Sequence, residues 1–283
     1  MNRLFTQRIL LVGLLSASLL FGGCATTLLY NHADWLIARQ LDGYFDLTRS
    51  QKAFVSSKLN TILNRHRHEA LPRYETVLQQ AGARVQRGLS AEDLDWAFAQ
   101  YDQLRTDLFA RFAPDGAEFV RLVNEPQVSR LKKALQSRLA REEGLLHDSV
   151  QARLAKRTER ILALAKEWLG PLTKQQEQEI IRIAMSFPDT LPAWYAHQLQ
   201  RHEQLIAIIE ARSSAETPTR LHGWLVQYDD SADTKFLEAT RQLRQRISEL
   251  TMNLDRLATP EQRQHVLSKL NELAHTIHGL REA

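Results

Sequence analysis

Leu94-Asp95-Trp96-Ala97-Phe98-Ala99-Gln100-Tyr101-Asp102-Gln103-Leu104-Arg105-Thr106-Asp107-Leu108 is the stretch that decides the fold. Leu94, Ala97, Tyr101, Leu104 and Leu108, extended by Phe112, recur at steps of three and four, the period of one face of an α-helix. The same period returns in Ile37, Leu41, Tyr44 and Phe45, in Phe54, Val55, Leu59, Ile62 and Leu63, and in Val128, Leu131 and Leu135. It closes the chain with Ile247, Leu250, Leu254 and Leu257, then Leu267, Leu270, Ala274, Ile277 and Leu280. No segment alternates with period two. Gly and Pro number only 11 and 8 among 283 residues, which argues against a turn-rich β-sandwich. With 43% hydrophobic residues the chain can bury a core, and the prediction is an all-α, elongated array of antiparallel helices forming a helical bundle.

Breakers divide the array. Gly88 followed by Ser90-Ala91-Glu92-Asp93 reads as a helix stop and a new cap, while 114–116, 124–126, 170–171 and 213–218 read as further separators. Residues 127–169 hold no proline and a single glycine, Gly144, so they read as one long helix or a tight pair. An internal repeat also shows, over 47–126 and 172–256. Leu47-Thr48-Arg49-Ser50-Gln51 is echoed by Leu172-Thr173-Lys174-Gln175-Gln176, and each is followed by a Leu-Pro step, Leu71-Pro72 with Tyr74 and Leu191-Pro192 with Tyr195. Leu257-Ala258-Thr259-Pro260-Glu261-Gln262 is a weaker third copy. Thr with Gln three residues on is a capping box, so these motifs mark helix starts, and Pro72 and Pro192 are expected to kink or break the helix that follows.

The N-terminus carries an address. Met1 to Arg8 has two positive charges and no acid, Ile9 to Leu20 is an apolar run, and Phe21-Gly22-Gly23-Cys24 follows with the only cysteine of the chain. That is the layout of a secretory signal, too short for a comfortable membrane-spanning helix of about 20 apolar residues. It resembles a bacterial lipoprotein signal and its lipobox. The resemblance implies cleavage between Gly23 and Cys24, diacylglyceryl and N-acyl (palmitate-type) chains on Cys24, and an outer-membrane, periplasmic-face location, since Ala25 stands where an Asp would mark inner-membrane retention. Residues 1–23 are then the signal peptide, 24–29 a lipidated tether and 30–283 an all-helical periplasmic body. An extended tether of that length keeps the body within about 15–20 Å of the lipid surface.

Tyr30-Asn31, Trp35, Leu47-Thr48-Arg49-Ser50-Gln51 and His66-Arg67-His68-Glu69-Ala70-Leu71-Pro72-Arg73-Tyr74, placed after a lipobox, resemble an uncharacterised domain-of-unknown-function lipoprotein family of Gram-negative bacteria. Arg65 stands where that family has Trp. The Leu-Thr-x-x-Gln motif alone is also similar to Spy/CpxP-like periplasmic proteins, which are chaperone-like.

Little in the chain points to catalysis. Arg65, His66, Arg67 and His68, with Tyr74, form a candidate partner-binding strip. His66 and His68 sit two apart, on different sides of a helix, so no metal site is expected there, nor from His197 and His202, five apart and read as surface or half-buried. No Gly-rich phosphate loop, Gly-x-Ser-x-Gly elbow or cysteine nucleophile is present, and no carboxylate pair stands out. No cofactor is expected beyond the acyl chains.

Charge adds one further expectation. The formal charge is +4, and removing residues 1–23 takes away Arg3 and Arg8, leaving +2. Residues 121–166 alone carry eleven basic and five acidic side chains, a candidate contact for anionic lipid or lipopolysaccharide, with a solvated helix face as the plainer reading. Nucleic acid is not an expected partner, because the compartment holds little of it. The expectation is therefore a non-enzymatic, lipid-anchored protein that binds envelope components by scaffolding or chaperone-like holding, set against an envelope enzyme acting on peptidoglycan or lipid.

Overall fold

A computed structural model describes residues 23–282, with side chains from Thr26 onward; residues 1–22 of the expected signal and the Cys24 thiol lie outside the described residues and side chains. The described chain is all-α. Twelve helices follow in order: α1 Gly23–Asn31, α2 Ala33–Phe45, α3 Arg49–Glu69, α4 Leu71–Arg87, α5 Ala91–Arg121, α6 Glu125–Glu143, α7 Val150–Leu169, α8 Lys174–Met185, α9 Leu191–Glu210, α10 Thr217–Val226, α11 Thr234–Leu257 and α12 Pro260–Glu282. A 3₁₀ turn at Gly144–His147 splits the 127–169 stretch into α6 and α7, which pack chiefly on α9 and on α8 and not on each other.

One separator and the tether differ from expectation. Pro114 does not end a helix: α5 runs through it and through Gly116 to Arg121. Residues 24–29 are not an extended tether either. They belong to α1, so the spacer rises by about 1.5 Å per residue rather than 3.5 Å and carries no slack.

The helix starts explain the repeat. Thr48, Asn124 and Thr173 each cap a helix, accepting from the main-chain N–H of Gln51, Gln127 and Gln176, and each Gln returns a bond to its own cap. Thr259 and Gln262 do the same at the start of α12, with Gln262 N to Thr259 Oγ1 at 3.2 Å and Thr259 N to Gln262 Oε1 at 3.1 Å. The four boxes then pair through their buried glutamines. Gln51 donates from Nε2 to Gln127 Oε1 (2.9 Å) and Gln127 donates back to Gln51 Oε1 (2.7 Å). Gln176 and Gln262 exchange the same two bonds, at 2.6 and 3.1 Å.

Each glutamine also donates to the carbonyl that lies five residues before its partner. Gln51 reaches Leu122 O and Gln127 reaches Asp46 O, while Gln176 reaches Leu257 O and Gln262 reaches Pro171 O. Both donors and both acceptor sites of every amide are therefore used in a buried setting, which satisfies the condition on which buried polar groups are tolerated. The result is one clasp per half of the chain.

The core is built on the stripes that follow the clasps. On α3, Gln51, Val55, Leu59, Ile62 and His66 are buried on one face, and on α8 Gln176, Ile180, Ile183 and Ala184 are. One apolar cluster gathers Phe45, Leu47, Val55, Leu59, Phe119, Val120, Leu131 and Leu135 from the first half; the other gathers Ala165, Ile180, Ile183, Phe187 and Leu250 from the second. Pro72 and Pro192 each stand in the first helical turn of a new helix, where the missing N–H costs little.

Those two post-proline helices are exchanged between the halves. The principal packing partner of α4 is α12, and that of α9 is α6. Ile208 and Ile209 of α9, with Leu221 of α10, complete the first half's core. At the end of α9, Glu210 pairs with Lys132 and Arg212 with Glu125, both on α6. At the end of α4, Gly88 takes a left-handed φ of 90° that suits glycine, and the next residue, Leu89, donates from N to Asp255 Oδ2 at 2.9 Å. Arg263 of α12 donates to Val85 O and pairs with Asp255, closing the same seam.

Candidate functional site

α3 carries a second polar group at the far end of its buried face. His66 is 4% exposed and held between two tyrosines, with Tyr30 Oη 3.0 Å from Nδ1 and Tyr74 Oη 3.2 Å from Nε2. Tyr30 comes from α1, His66 from α3 and Tyr74 from the first turn of α4, so three helices meet at one imidazole. Burial, aided by the Arg111 charge, holds the His66 ring down to about 4. Burial also pushes both tyrosines up to about 12, against the nearby Arg67 in the case of Tyr30. All three groups are therefore neutral at pH 7. In a neutral ring one nitrogen donates and the other accepts, so one tyrosine gives a hydrogen bond to the ring and the other receives one.

Charges surround this latch without entering it. Arg67 donates to Asn31 Oδ1 (3.3 Å) and lies 5.6 Å from the Tyr30 ring centroid, while Arg111 pairs with Glu69 and Arg73 with Asp107. The arrangement fixes α1 to the body. Replacing Tyr30 with Phe leaves one His66 nitrogen without its partner, and should cost about 1–2 kcal/mol. Hydrogen exchange should show protection lost first in α1, with the clasped helices unchanged.

The candidate strip does not form one surface. His66 and Tyr74 turn inward, Arg67 is half-buried, and only Arg65 and His68 are exposed. The helical period accounts for this: His66 continues the row of Val55, Leu59 and Ile62, whereas its neighbours in sequence point elsewhere. His197 and His202 also depart from expectation, being buried at 2% and 8% exposure rather than on the surface. Tyr228 and Phe236, from the same half of the chain, cover His197, while His202 lies near Arg138 of α6.

His197 stacks on Phe236 (centroids 4.0 Å apart) and meets Tyr228 edge-on, with neither ring nitrogen hydrogen-bonded among the described residues. Arg201, one turn on, lies 4.1 Å from the Trp224 ring centroid and 4.9 Å from that of Tyr228, and donates to Trp224 O. Trp224 Nε1 returns a bond to Arg201 O at 3.0 Å. Burial brings this guanidinium down to about 10, so it stays charged, held by ring faces in place of a carboxylate. No spacing rule in the sequence marks this group out.

Between α1 and α12 runs an open groove of about 700 Å³, bordered by Thr27, Leu28, Asn31 and His32 on one side and Glu272, His275 and Thr276 on the other. Among the described residues no group of three or more His, Cys, Asp or Glu side chains is placed to hold a metal ion, and no helix is long and apolar enough to cross a membrane.

Residues 43–227 match a family of unknown function, DUF6279. The chain belongs to that family. The DUF6279 match takes in His66, Tyr74, the first clasp and Gln176, and stops short of Tyr30 and Gln262. No curated protein and no solved structure matches.

The basic stretch within the DUF6279 region is largely occupied by internal pairs. Lys132 meets Glu210, Arg138 meets Glu142 and Tyr44, Arg153 meets Asp189, Lys156 meets Asp148 and Lys166 meets Glu177. Arg157 donates to Pro188 O at 2.6 Å. The local excess of positive charge thus ties α6 and α7 to α2, α8, α9 and the loop before α9.

Proposed function

We propose that this protein is a lipoprotein of the outer membrane, held on the periplasmic face by acyl chains on Cys24, and that it works by binding other envelope components without catalysing a reaction. The feature that supports this best is the direct passage from Cys24 into α1, and from α1 through Tyr30, His66 and Tyr74 into the body. An anchor joined without slack suits a scaffold, whose task is to hold a position. In the latch both His66 nitrogens are engaged by tyrosine hydroxyls and the ring is buried, which suits holding better than proton transfer to a substrate.

Acyl chains contribute about 0.8 kcal/mol per buried methylene, and two or more make attachment effectively permanent. Cys24→Ala should therefore move nearly all of the protein from the membrane fraction to unacylated precursor or soluble material. Unchanged fractionation would count against the anchor. Crosslinking in living cells separates the two forms of binding: a scaffold yields one stable neighbour, and a chaperone-like holdase yields many unfolded clients.

A further inference from the structure

Helices α1 and α2 follow one another with a break at His32, whose φ of −111° and ψ of 15° are not helical. Main-chain bonds from His32 N to Leu28 O (3.2 Å) and from Leu36 N to His32 O (3.0 Å) flank the break. Leu28 with His32 before it, and Trp35 with Arg39 after it, are i, i+4 pairs that follow one another as a stripe along the chain. All four are exposed, and Leu28 at 60% and Trp35 at 55% are the most exposed large apolar side chains described. The Arg39 guanidinium lies over the Trp35 ring, 5.2 Å from its centroid. At the Leu28 end the stripe opens into the groove against α12.

A leucine and a tryptophan, with an arginine laid over the indole, match the composition of a membrane interface. There the ring body meets the acyl boundary, while the indole N–H and the guanidinium stay among the headgroups. The position of the stripe selects its occupant. The acyl chains proposed for Cys24 join the chain at the second residue of α1, which begins at Gly23, so these helices start at the membrane. At a rise of about 1.5 Å per helical residue, Leu28 lies roughly 6 Å along the helix from Cys24 and Trp35 within about 20 Å of it, close enough for both to reach the same surface.

We propose that the Leu28, His32, Trp35 and Arg39 stripe seats on the lipid surface, with α1 and α2 lying along the membrane plane and Trp35 inserted at headgroup depth. This rests on the anchoring proposed above and adds an orientation to it. Because the latch fixes α1 to α3 and α4, seating the stripe sets the attitude of the whole body.

The test uses full-length protein purified from membranes and reconstituted into phosphatidylethanolamine and phosphatidylglycerol vesicles, with and without brominated acyl chains. Trp35 is one of five tryptophans, so brominated lipid should remove about a fifth of the emission, and Trp35→Phe should abolish that loss while vesicle retention is unchanged. Acylated, vesicle-bound protein whose emission is untouched by bromine and fully open to iodide would overturn the seating while leaving the anchor in place. A bare Cys24 by mass spectrometry, with no retention on vesicles, would overturn both. Contact of the stripe with a protein instead would appear as crosslinks from residue 35 to a single polypeptide and no bromine effect, which also overturns it.

Discussion

Gln176→Leu should destabilise the protein by about 4 kcal/mol, the sum of roughly 1 kcal/mol for each of four hydrogen-bonding groups left short. Those groups are Thr173 N, Leu257 O and both ends of the Gln262 amide, and Gln176 is fully buried, so water cannot replace the lost partner. Urea unfolding followed by circular dichroism measures it. Gln175→Leu, one residue away and exposed, is the control and should change little. The double variant Gln176→Leu with Gln262→Leu should cost clearly less than the two single changes summed, because replacing both partners removes the orphaned amide. The Gln51 and Gln127 pair should behave in parallel. A single-variant cost no greater than that of the exposed control would show that the clasp does not hold its half together.

Stability should also fall steeply as pH drops from about 6.5 towards 4. His66 is held down to about 4 by burial and the Arg111 charge, and His202 to about 4 by burial with Arg138 and Arg201; burial lowers His197 as well. In the unfolded chain these rings titrate near 6.5, so between the two values the unfolded state binds more protons than the folded one. The stability that the neutral rings contribute is complete above about 6.5 and is lost as pH falls through the folded values. For His66 alone, the displacement from 6.5 to about 4 corresponds to about 3 kcal/mol. Carboxylates in ion pairs, such as Glu238, held down to about 2 by Arg241 and Gln242, add their losses at lower pH. The interval from 6.5 to 5 therefore isolates the imidazoles. Unfolding free energies across it should show a positive slope with pH, reduced in His66→Gln; a flat profile would mean that the rings are hydrated or already charged.

The helical class and most element boundaries were legible because they rest on periodicity and caps, which are local. Thr48, Ser90 and Thr173 announce helix starts within four residues, and the row Val128, Leu131, Leu135 is the buried face of α6. The repeat was legible through Gln51 and Gln176, but its meaning was not. The fourth box uses Asn124 where the others use Thr, so 124–126 reads as a mere separator, and nothing in a linear chain says that Gln127 meets Gln51 across 76 positions. The site was half visible. His66, Arg67 and Tyr74 stand out as a dense polar run, yet which of them turns inward depends on α1 supplying Tyr30, a tertiary fact. His197 and Arg201 escaped because their burial follows from Trp224, Tyr228 and Phe236 folding back onto α9, a tertiary fact. Pro114 misled for the opposite reason, since the packing of α5 overrides a local breaker.

The exchange of α4 and α9 bears on how the molecule answers a pull. A tug arriving at Cys24, the proposed point of anchoring, would pass through the latch into α3 and α4, and α4 lies along α12 of the distal half. One half could not then peel from the other along a single seam; the α4–α12 and α9–α6 seams would be loaded together, in shear.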